Sequence, residues 1–96
     1  MSEKDIEKRV CDYAKTRGFL VYKFTSPARA AVPDRLLIYK GTTFFIEFKA
    51  EGKAPTPSQL REHSRLREHG IAVFVVDNVV DGKNIIDDLL KFNDPE

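Results

Sequence analysis

The sequence predicts an α/β domain in which a mixed sheet is flanked by helices. Segments with the apolar spacing of helices alternate with short aromatic and β-branched runs, in the order α-β-β-β-α-β-α. Two of the strand-like runs are separated by three residues, a connection short enough to require an antiparallel hairpin. The chain has 96 residues, of which 42% are hydrophobic, and this is enough for one core. We therefore expect a single domain over residues 1–96.

The first predicted elements are a helix, a strand and a loop. The helix extends from Ser2 to Arg17, and its apolar face consists of Ile6, Val10, Tyr13 and Ala14. Ser2 and Asp5 have the spacing of a capping box, and Gly18 is a typical helix stop. Residues 19–24 are predicted as strand and residues 25–32, which lack periodicity, as loop.

The next two strands, 34–39 and 43–49, form the predicted hairpin. A two-residue turn at Lys40-Gly41 pairs Tyr39 with Thr42, and the same register places Asp34 opposite Glu47. Such cross-strand partners have Cβ atoms about 4.5 to 5.5 Å apart. Strand alternation puts Lys49 on their face, while the opposite face receives Phe44, Ile46 and Phe48.

The facing carboxylates of Asp34 and Glu47 indicate a metal site. Like charges directly across a hairpin repel each other unless a cation lies between them. Two carboxylates with water and substrate oxygens are a usual ligand set for Mg²⁺. Taken singly, Asp34 could be a turn residue after Pro33, and Glu47 could lie on an ordinary polar strand edge. The combination favours a divalent cation.

A second helix and a fourth strand follow a loop over residues 51–57. Thr56 as N-cap, Pro57 at the first helical position and Gln59 at the third form a strong helix start, and the helix extends to His69. Residues 71–76 are apolar at every position, which predicts a strand buried on both faces. Because a helix precedes it, this strand is expected to be parallel to its neighbour, through a right-handed crossover.

A short last helix is predicted after a turn at Asp81-Gly82. Its apolar stripe consists of Ile85, Ile86, Leu89 and Leu90. We expect this stripe to pack into the core or against a second copy of the chain.

Charge is unevenly distributed along the chain. Residues 13–67 carry eleven Lys or Arg against four acids, a net charge of +7, whereas residues 68–96 have a net charge of −5. A basic centre with embedded acids favours a polyanion-binding surface. Unevenly charged, solvated helix faces are the alternative.

Several protein classes are excluded by composition. No apolar run approaches the roughly 20 residues of a membrane span, and the first residues do not resemble a signal peptide. The single cysteine, Cys11, excludes an internal disulfide framework, a zinc site built on several thiolates and a cysteine-ligated iron–sulfur cluster. We expect a soluble cytoplasmic protein in a reducing compartment, without a membrane partner.

The motifs together resemble a known family. Pro33-Asp34 followed by Glu47-Phe48-Lys49 resembles the PD-(D/E)xK nuclease core, and nearly the whole chain resembles the VRR-NUC branch of that superfamily. The other matching features, in family order, are Glu7 on the first helix, Gln59 in a Pro-Ser-Gln helix start, and Gly70 before an apolar strand. Ala30 and Ala31 stand where many relatives have a glycine. The resemblance implies a restriction endonuclease-like core.

The resemblance also implies roles for individual residues. Asp34, Glu47 and the main-chain carbonyl of Phe48 would bind Mg²⁺ or Mn²⁺, and Lys49 would orient the attacking water or stabilise the transition state. Glu7 would support the metal through a water, and Gln59 would lie at the site. The expected DNA-binding residues are Lys23, Arg29, Arg35, Lys53, Arg61 and Arg65. His63 and His69 are interpreted as structural, with His63 near the substrate.

The activity implied is that of a metal-dependent, structure-specific DNA endonuclease that resolves four-way (Holliday) junctions as a C₂ homodimer. One alternative is a non-catalytic nucleic-acid-binding module, which the intact set of Asp34, Glu47 and Lys49 disfavours. Another is a nuclease that nicks flaps or other branched DNA. Site-specific restriction is disfavoured because the sequence has no appended recognition domain.

Overall fold

The computed structural model describes residues 1–94 and confirms the predicted order of elements. The helices are α1 (Glu3–Thr16), α2 (Pro57–Glu68) and α3 (Val79–Asn93). The strands are β1 (Leu20–Lys23), β2 (Arg35–Tyr39), β3 (Thr42–Phe48) and β4 (Ala72–Val76). Most ends differ from the predicted ones by one or two residues, which is usual for element boundaries.

The four strands form one mixed sheet in the order β1-β2-β3-β4. The β1–β2 and β2–β3 pairs are antiparallel, and β3 and β4 are parallel, as expected for strands joined by a helical crossover. Helices α1 and α3 cover one face of the sheet, and α2 lies on the other. The predicted fold class, a mixed sheet flanked by helices, is confirmed.

The β2–β3 hairpin has the predicted register. Tyr39 pairs with Thr42 and Arg35 pairs with Ile46. Lys40 and Gly41 have φ values of 46° and 84°, and positive φ at both turn residues is what a type I′ turn requires. Extending this register by one position sets Asp34, the residue before β2, opposite Glu47.

The hydrophobic core lies between β3 and the α1/α3 layer. On this face of β3, Phe44, Ile46 and Phe48 are at most 1% exposed. They belong to one buried cluster with Ile6 and Val10 of α1, together with Ala14, Leu37, Val76 and Ile86. Burying each large apolar side chain stabilises the fold by about 1.5 to 3 kcal/mol. Since three such side chains come from β3, this strand contributes strongly to the core.

The prediction that the fourth strand is buried on both faces is wrong. β4 lies at the edge of the sheet, where Ala72 is exposed and Val75 is 39% exposed. The strand that is buried on both faces is β3, over residues 44–48. A run of apolar residues does not distinguish a central strand from an edge strand whose outer face is half covered by a helix.

The predicted start of the last helix is also wrong. Asp81 and Gly82 are helical, because α3 begins at Val79, after an N-cap at Asn78 whose side-chain oxygen accepts a hydrogen bond from the Asp81 amide at 2.8 Å. Gly82 serves helix packing instead of a turn, since a Cβ at this position would lie 2.4 Å from Cγ2 of Val10. The predicted apolar stripe does pack onto the core, with Ile86 fully buried.

The helix starts at Ser2 and Thr56 follow the predicted capping pattern to different extents. Thr56 and Gln59 form both bonds of a capping box. At α1, Ser2 Oγ accepts a hydrogen bond from the Asp5 amide at 3.1 Å, which is one bond of the predicted box. Among residues 1–94, none of the helices is long and apolar enough to cross a membrane.

Candidate functional site

The candidate site lies where the β2–β3 hairpin meets helix α2. Glu47 projects from β3 toward α2 and is only 2% exposed. Asp34 is partly buried, and its Oδ2 accepts a hydrogen bond from the Phe48 amide at 2.8 Å, which ties Asp34 to the strand that carries Glu47. Lys49 Nζ lies 4.0 Å from Glu47 Oε2. The structure therefore brings Asp34, Glu47 and Lys49 together.

The electrostatic environment of Glu47 is unusual for a carboxylate. Burial, followed by the charge of Asp34, raises the pKa of Glu47 from 4.5 to about 8, against the opposing effect of Lys49. A carboxyl group with so high a pKa holds its proton near neutral pH until a cation approaches. Binding of a positive ion at this position would release that proton.

Gln59 connects the helix start to Glu47. Its Oε1 accepts a hydrogen bond from the Thr56 amide at 2.9 Å, and its Nε2 donates to Glu47 Oε2 at 3.3 Å. The capping box thus fixes the amide that contacts the carboxylate. The structure brings Gln59 to the site, and its catalytic role stays a prediction.

His63, which the sequence predicts to be structural and near the substrate, contacts Glu47, a contact that the sequence analysis does not predict. The ring is fully buried, and its Nε2 lies 3.3 Å from Glu47 Oε1. Burial and the charge of Arg67 lower the pKa of His63, so the contact is made by a neutral ring. The spacing of Gln59 and His63, four residues apart on one helix, is the signal that could have identified it.

Glu7 and Arg35 contact each other instead of the positions predicted for them. Arg35 Nε donates to Glu7 Oε2 at 2.6 Å, and both side chains are partly buried. Arg35 pairs with Ile46, so it lies on the α1 side of the sheet, opposite the face from which Glu47 projects. The role of Glu7 at the metal and that of Arg35 at DNA stay predictions. A different residue of α1, Glu3, contributes to the raised pKa of Glu47.

Three of the predicted DNA-binding arginines line one cavity. A cavity of about 380 Å³ between the loop over residues 28–31 and α2 is lined by Arg29, Arg61 and Arg65 together with Ser58 and Glu62. The buried carboxylate of Glu62 accepts from Arg29 Nη1 at 3.2 Å and lies 3.7 Å from Arg65 Nε. This contact fastens the loop that leads to Asp34 onto α2.

The two remaining predicted DNA-binding residues lie on different parts of the surface. Lys23 lines a cavity of about 240 Å³ with Arg29 and Asp34, which connects the basic loop region to the candidate site. Lys53 is exposed in the loop before α2.

The donor set at the site consists of oxygen atoms. Within residues 1–94, no group of three or more His, Cys, Asp or Glu side chains is arranged to hold a metal ion. The two carboxylates of Asp34 and Glu47 nevertheless fit Mg²⁺ or Mn²⁺, because such ions are commonly held by one or two carboxylates and complete their shell with water and substrate oxygens. The burial of Glu47 beside Asp34, which the Phe48 amide holds against the same strand, is the observation that supports this fit.

Comparisons with known proteins relate this fold and site to one family. No protein-family model matches the sequence. A curated relative, "Putative nuclease p44" of Acyrthosiphon pisum secondary endosymbiont phage 1, is 47% identical over 77 residues, which cover 79% of this chain and 83% of the relative.

Two solved structures have the same fold. One, described as "VRR_NUC domain protein", is 19% identical with a TM-score of 0.80, over 95% of this chain and 89% of that chain, and shows the fold alone. Another, described as "VRR_NUC domain", is 36% identical with a TM-score of 0.82, over 88% of this chain and 94% of that chain. With this degree of identity over nearly the whole domain, the chain belongs to the VRR_NUC family of nuclease domains.

Proposed function

We propose that this nuclease domain is a metal-dependent endonuclease that hydrolyses phosphodiester bonds of branched DNA. The observation that carries the proposal is the juxtaposition of Asp34, buried Glu47 and Lys49 at one end of the hairpin. Two acids and a lysine held by one short hairpin form a compact set for phosphodiester hydrolysis. The raised pKa of Glu47 supports a cationic partner.

Asp34 and Glu47 would hold Mg²⁺ or Mn²⁺, with the carbonyl of Phe48 as a further ligand. When bound, such an ion activates water for attack and neutralises the charge that develops on the scissile phosphate. Asp34 is oriented for this role by the Phe48 amide, which donates to its Oδ2. Gln59 supports Glu47 from the side of α2.

Lys49 supplies a fixed positive charge beside the carboxylates. Its side chain is only 14% exposed, so its charge is weakly screened by water. In the proposed reaction Lys49 orients the attacking water or stabilises the negative charge that develops on the phosphate in the transition state. Glu7 would contribute only through a water, since its Oε2 accepts a hydrogen bond from Arg35.

The basic residues around the site would bind the DNA backbone. Arg29, Arg61 and Arg65 share one cavity beside the loop that ends at Asp34, so a phosphate there would lie near the proposed scissile bond. Lys23 and Lys53 would extend this surface. Arg35 is also proposed to bind DNA, although its charge is neutralised by Glu7. Such contacts position DNA without reading its sequence, which is consistent with a structure-specific enzyme.

Four-way junctions are the proposed substrate, and a C₂ homodimer is the proposed assembly. Each chain has one candidate site, whereas symmetric cleavage of a junction needs two sites related by a two-fold axis. Nicking of flaps or other branched DNA by the same site is the alternative outcome of the substrate test.

A cleavage panel tests the proposal. Four-way junctions, flaps, single strands and plain duplex would be incubated with Mg²⁺, Mn²⁺ or EDTA. We expect cleavage of branched DNA with either ion, none with EDTA, and loss of cleavage by at least about 100-fold in Asp34→Asn and Glu47→Gln. Asp88→Asn, at an exposed position of α3, is the matched control. Unchanged cleavage by both site variants would refute the assignment.

A further inference from the structure

His63 is a polar residue at a position where packing alone would favour an apolar one. Its side chain is 0% exposed. Within residues 1–94, its Nδ1 is a buried side-chain atom without a hydrogen-bond partner. An unpartnered buried polar atom is costly, so a residue that retains one is expected to be kept for its other nitrogen.

The other nitrogen of His63 faces Glu47. Nε2 lies 3.3 Å from Glu47 Oε1. A neutral imidazole carries one N–H and one lone pair. The tautomer with the proton on Nε2 can donate to Glu47 Oε1, whereas the other tautomer would bury the N–H of Nδ1 without an acceptor.

Gln59 and His63 contact the two oxygens of Glu47 separately. Gln59 Nε2 donates to Oε2, and His63 Nε2 is within hydrogen-bond distance of Oε1, each at 3.3 Å. The two residues are four positions apart and therefore lie on the same face of α2. One helix thus contacts both oxygens of the Glu47 carboxylate.

We infer that His63 is a positioning residue, whose Nε2–H holds the Glu47 carboxylate in the orientation that binds the divalent ion. This inference rests on the proposed function, in which Glu47 is a metal ligand. Donors that orient a ligand in this way typically change metal affinity by 10- to 100-fold when they are removed. In this role His63 is not a ligand of the ion and acts on it through Glu47.

Two types of substitution separate positioning from packing. His63→Leu fills the space without a donor, and His63→Met does the same with a more adaptable side chain. His63→Gln retains an N–H donor, because the amide nitrogen of Gln is separated from Cβ by as many bonds as Nε2 of His. The control is His69→Leu at the C-cap of α2, an exposed position.

The primary measurement is the dissociation constant for Mn²⁺, obtained by calorimetry on the folded protein without DNA. We expect His63→Leu and His63→Met to weaken Mn²⁺ binding by roughly 10- to 100-fold. His63→Gln is expected to restore affinity to within about threefold of the parent protein, and His69→Leu to leave it unchanged. Thermal unfolding, followed by circular dichroism, verifies that each variant is folded.

Particular results would overturn the inference. If the folded Leu or Met variant binds Mn²⁺ as tightly as the parent, His63 serves packing alone. If His63→Gln is folded but binds Mn²⁺ as weakly as the Leu variant, the donor is not needed for metal affinity. The same conclusion holds if the Leu and Met variants fail to fold and His63→Gln is as stable as the parent but binds Mn²⁺ weakly. The Glu47→Gln variant distinguishes a failure of this inference from a failure of the proposed function. Undiminished Mn²⁺ binding by that variant refutes the metal site itself, whereas loss of binding there with normal binding in His63→Leu refutes only the role of His63.

Discussion

Arg35 and Glu7 form a hydrogen-bonded ion pair between β2 and α1, with Arg35 Nε 2.6 Å from Glu7 Oε2. The two side chains are 22% and 18% exposed. Removing either residue would therefore leave the other charge partly desolvated and without its counter-charge. The pair links the first helix to the hairpin that carries the candidate site. Its main effect is therefore expected on stability.

We predict that Glu7→Ala and Arg35→Ala each lower the free energy of unfolding by about 1 to 3 kcal/mol. The double variant should lose less than the sum of the two, with a coupling of at least about 0.5 kcal/mol. Urea unfolding of the four proteins measures this cycle. The Lys8–Asp12 pair, at 2.7 Å but exposed, is the matched control and should show much weaker coupling. Equal couplings would contradict the role assigned to burial.

The arginines around the cavity beside α2 should determine how DNA affinity depends on salt. Arg61→Ala and Arg65→Ala remove cations that line this cavity. If each arginine contacts one phosphate, the slope of the logarithm of the DNA association constant against the logarithm of the salt concentration falls in magnitude by about 0.9 per variant. Fluorescence anisotropy with a labelled junction in EDTA, from low to moderate salt, measures the slope.

Lys91→Ala, at an exposed position on α3, is the control for that experiment. Lys91 lies in the acidic C-terminal region and should leave the slope unchanged. Parent-like slopes for both arginine variants would place the DNA-binding surface elsewhere on the molecule.

The stability of the metal-free protein should decrease as the pH rises from 6.5 to 8. Folding raises the pKa of Glu47 from 4.5 to about 8, so the folded state holds more protons than the unfolded state across this interval. Raising the pH then favours unfolding. His63, with a lowered pKa, has the opposite effect only below its ordinary value of 6.5, and Cys11, raised from 9.0 to about 11, matters only above 9.

Thermal unfolding in EDTA at several pH values measures this dependence. The slope should disappear in Glu47→Gln, which cannot ionise. Because the ion displaces the proton, apparent Mn²⁺ affinity should rise with pH over the same interval. A parent protein with constant stability between pH 6.5 and 8 would contradict the assigned ionisation of Glu47.

Gly82 is predicted to be required for the approach of α3 to α1. A Cβ at this position would lie 2.4 Å from Cγ2 and 2.9 Å from Cγ1 of Val10, and Val10 is fully buried. Although Ala is the better helix former by about 1 kcal/mol, we expect Gly82→Ala to destabilise the protein by a net 1 to 3 kcal/mol, on the order of other overpacking changes. Denaturant unfolding provides the measurement.

The double variant Val10→Ala/Gly82→Ala tests the cause. Removing the Val10 methyl groups relieves the clash, so the second substitution should cost much less in that background than in the parent. If Gly82→Ala costs the same with and without Val10, the close approach of the two helices is not responsible.

Local sequence rules were sufficient where a structural feature depends on neighbouring residues. The Lys40-Gly41 turn fixes the hairpin register, and the register places Asp34 across from Glu47. The Thr56-Pro57-Ser58-Gln59 start likewise determined both bonds of the capping box. The candidate acidic pair could therefore be predicted from sequence alone, because hairpin pairing follows from turn length and strand alternation.

Local rules failed where the outcome depends on what packs against a residue. The Asp81-Gly82 pair resembles a turn, but it lies inside α3, where the glycine is needed because a Cβ at Gly82 would clash with Val10 of α1. The apolar run over residues 71–76 resembles a central strand, but the sheet order places β4 at an edge. Neither the packing of α1 nor the order of the strands can be predicted from the residues of those two segments alone.

The sequence by itself determined the order of elements, the hairpin register and the pairing of Asp34 with Glu47. Only the tertiary structure decided which groups surround that pair. It brought His63 to Glu47, joined Arg35 to Glu7 and fastened Arg29 to Glu62. The physical reason is that turn geometry and side-chain alternation act over a few residues, whereas these contacts depend on the placement of α1 and α2 on opposite faces of the sheet.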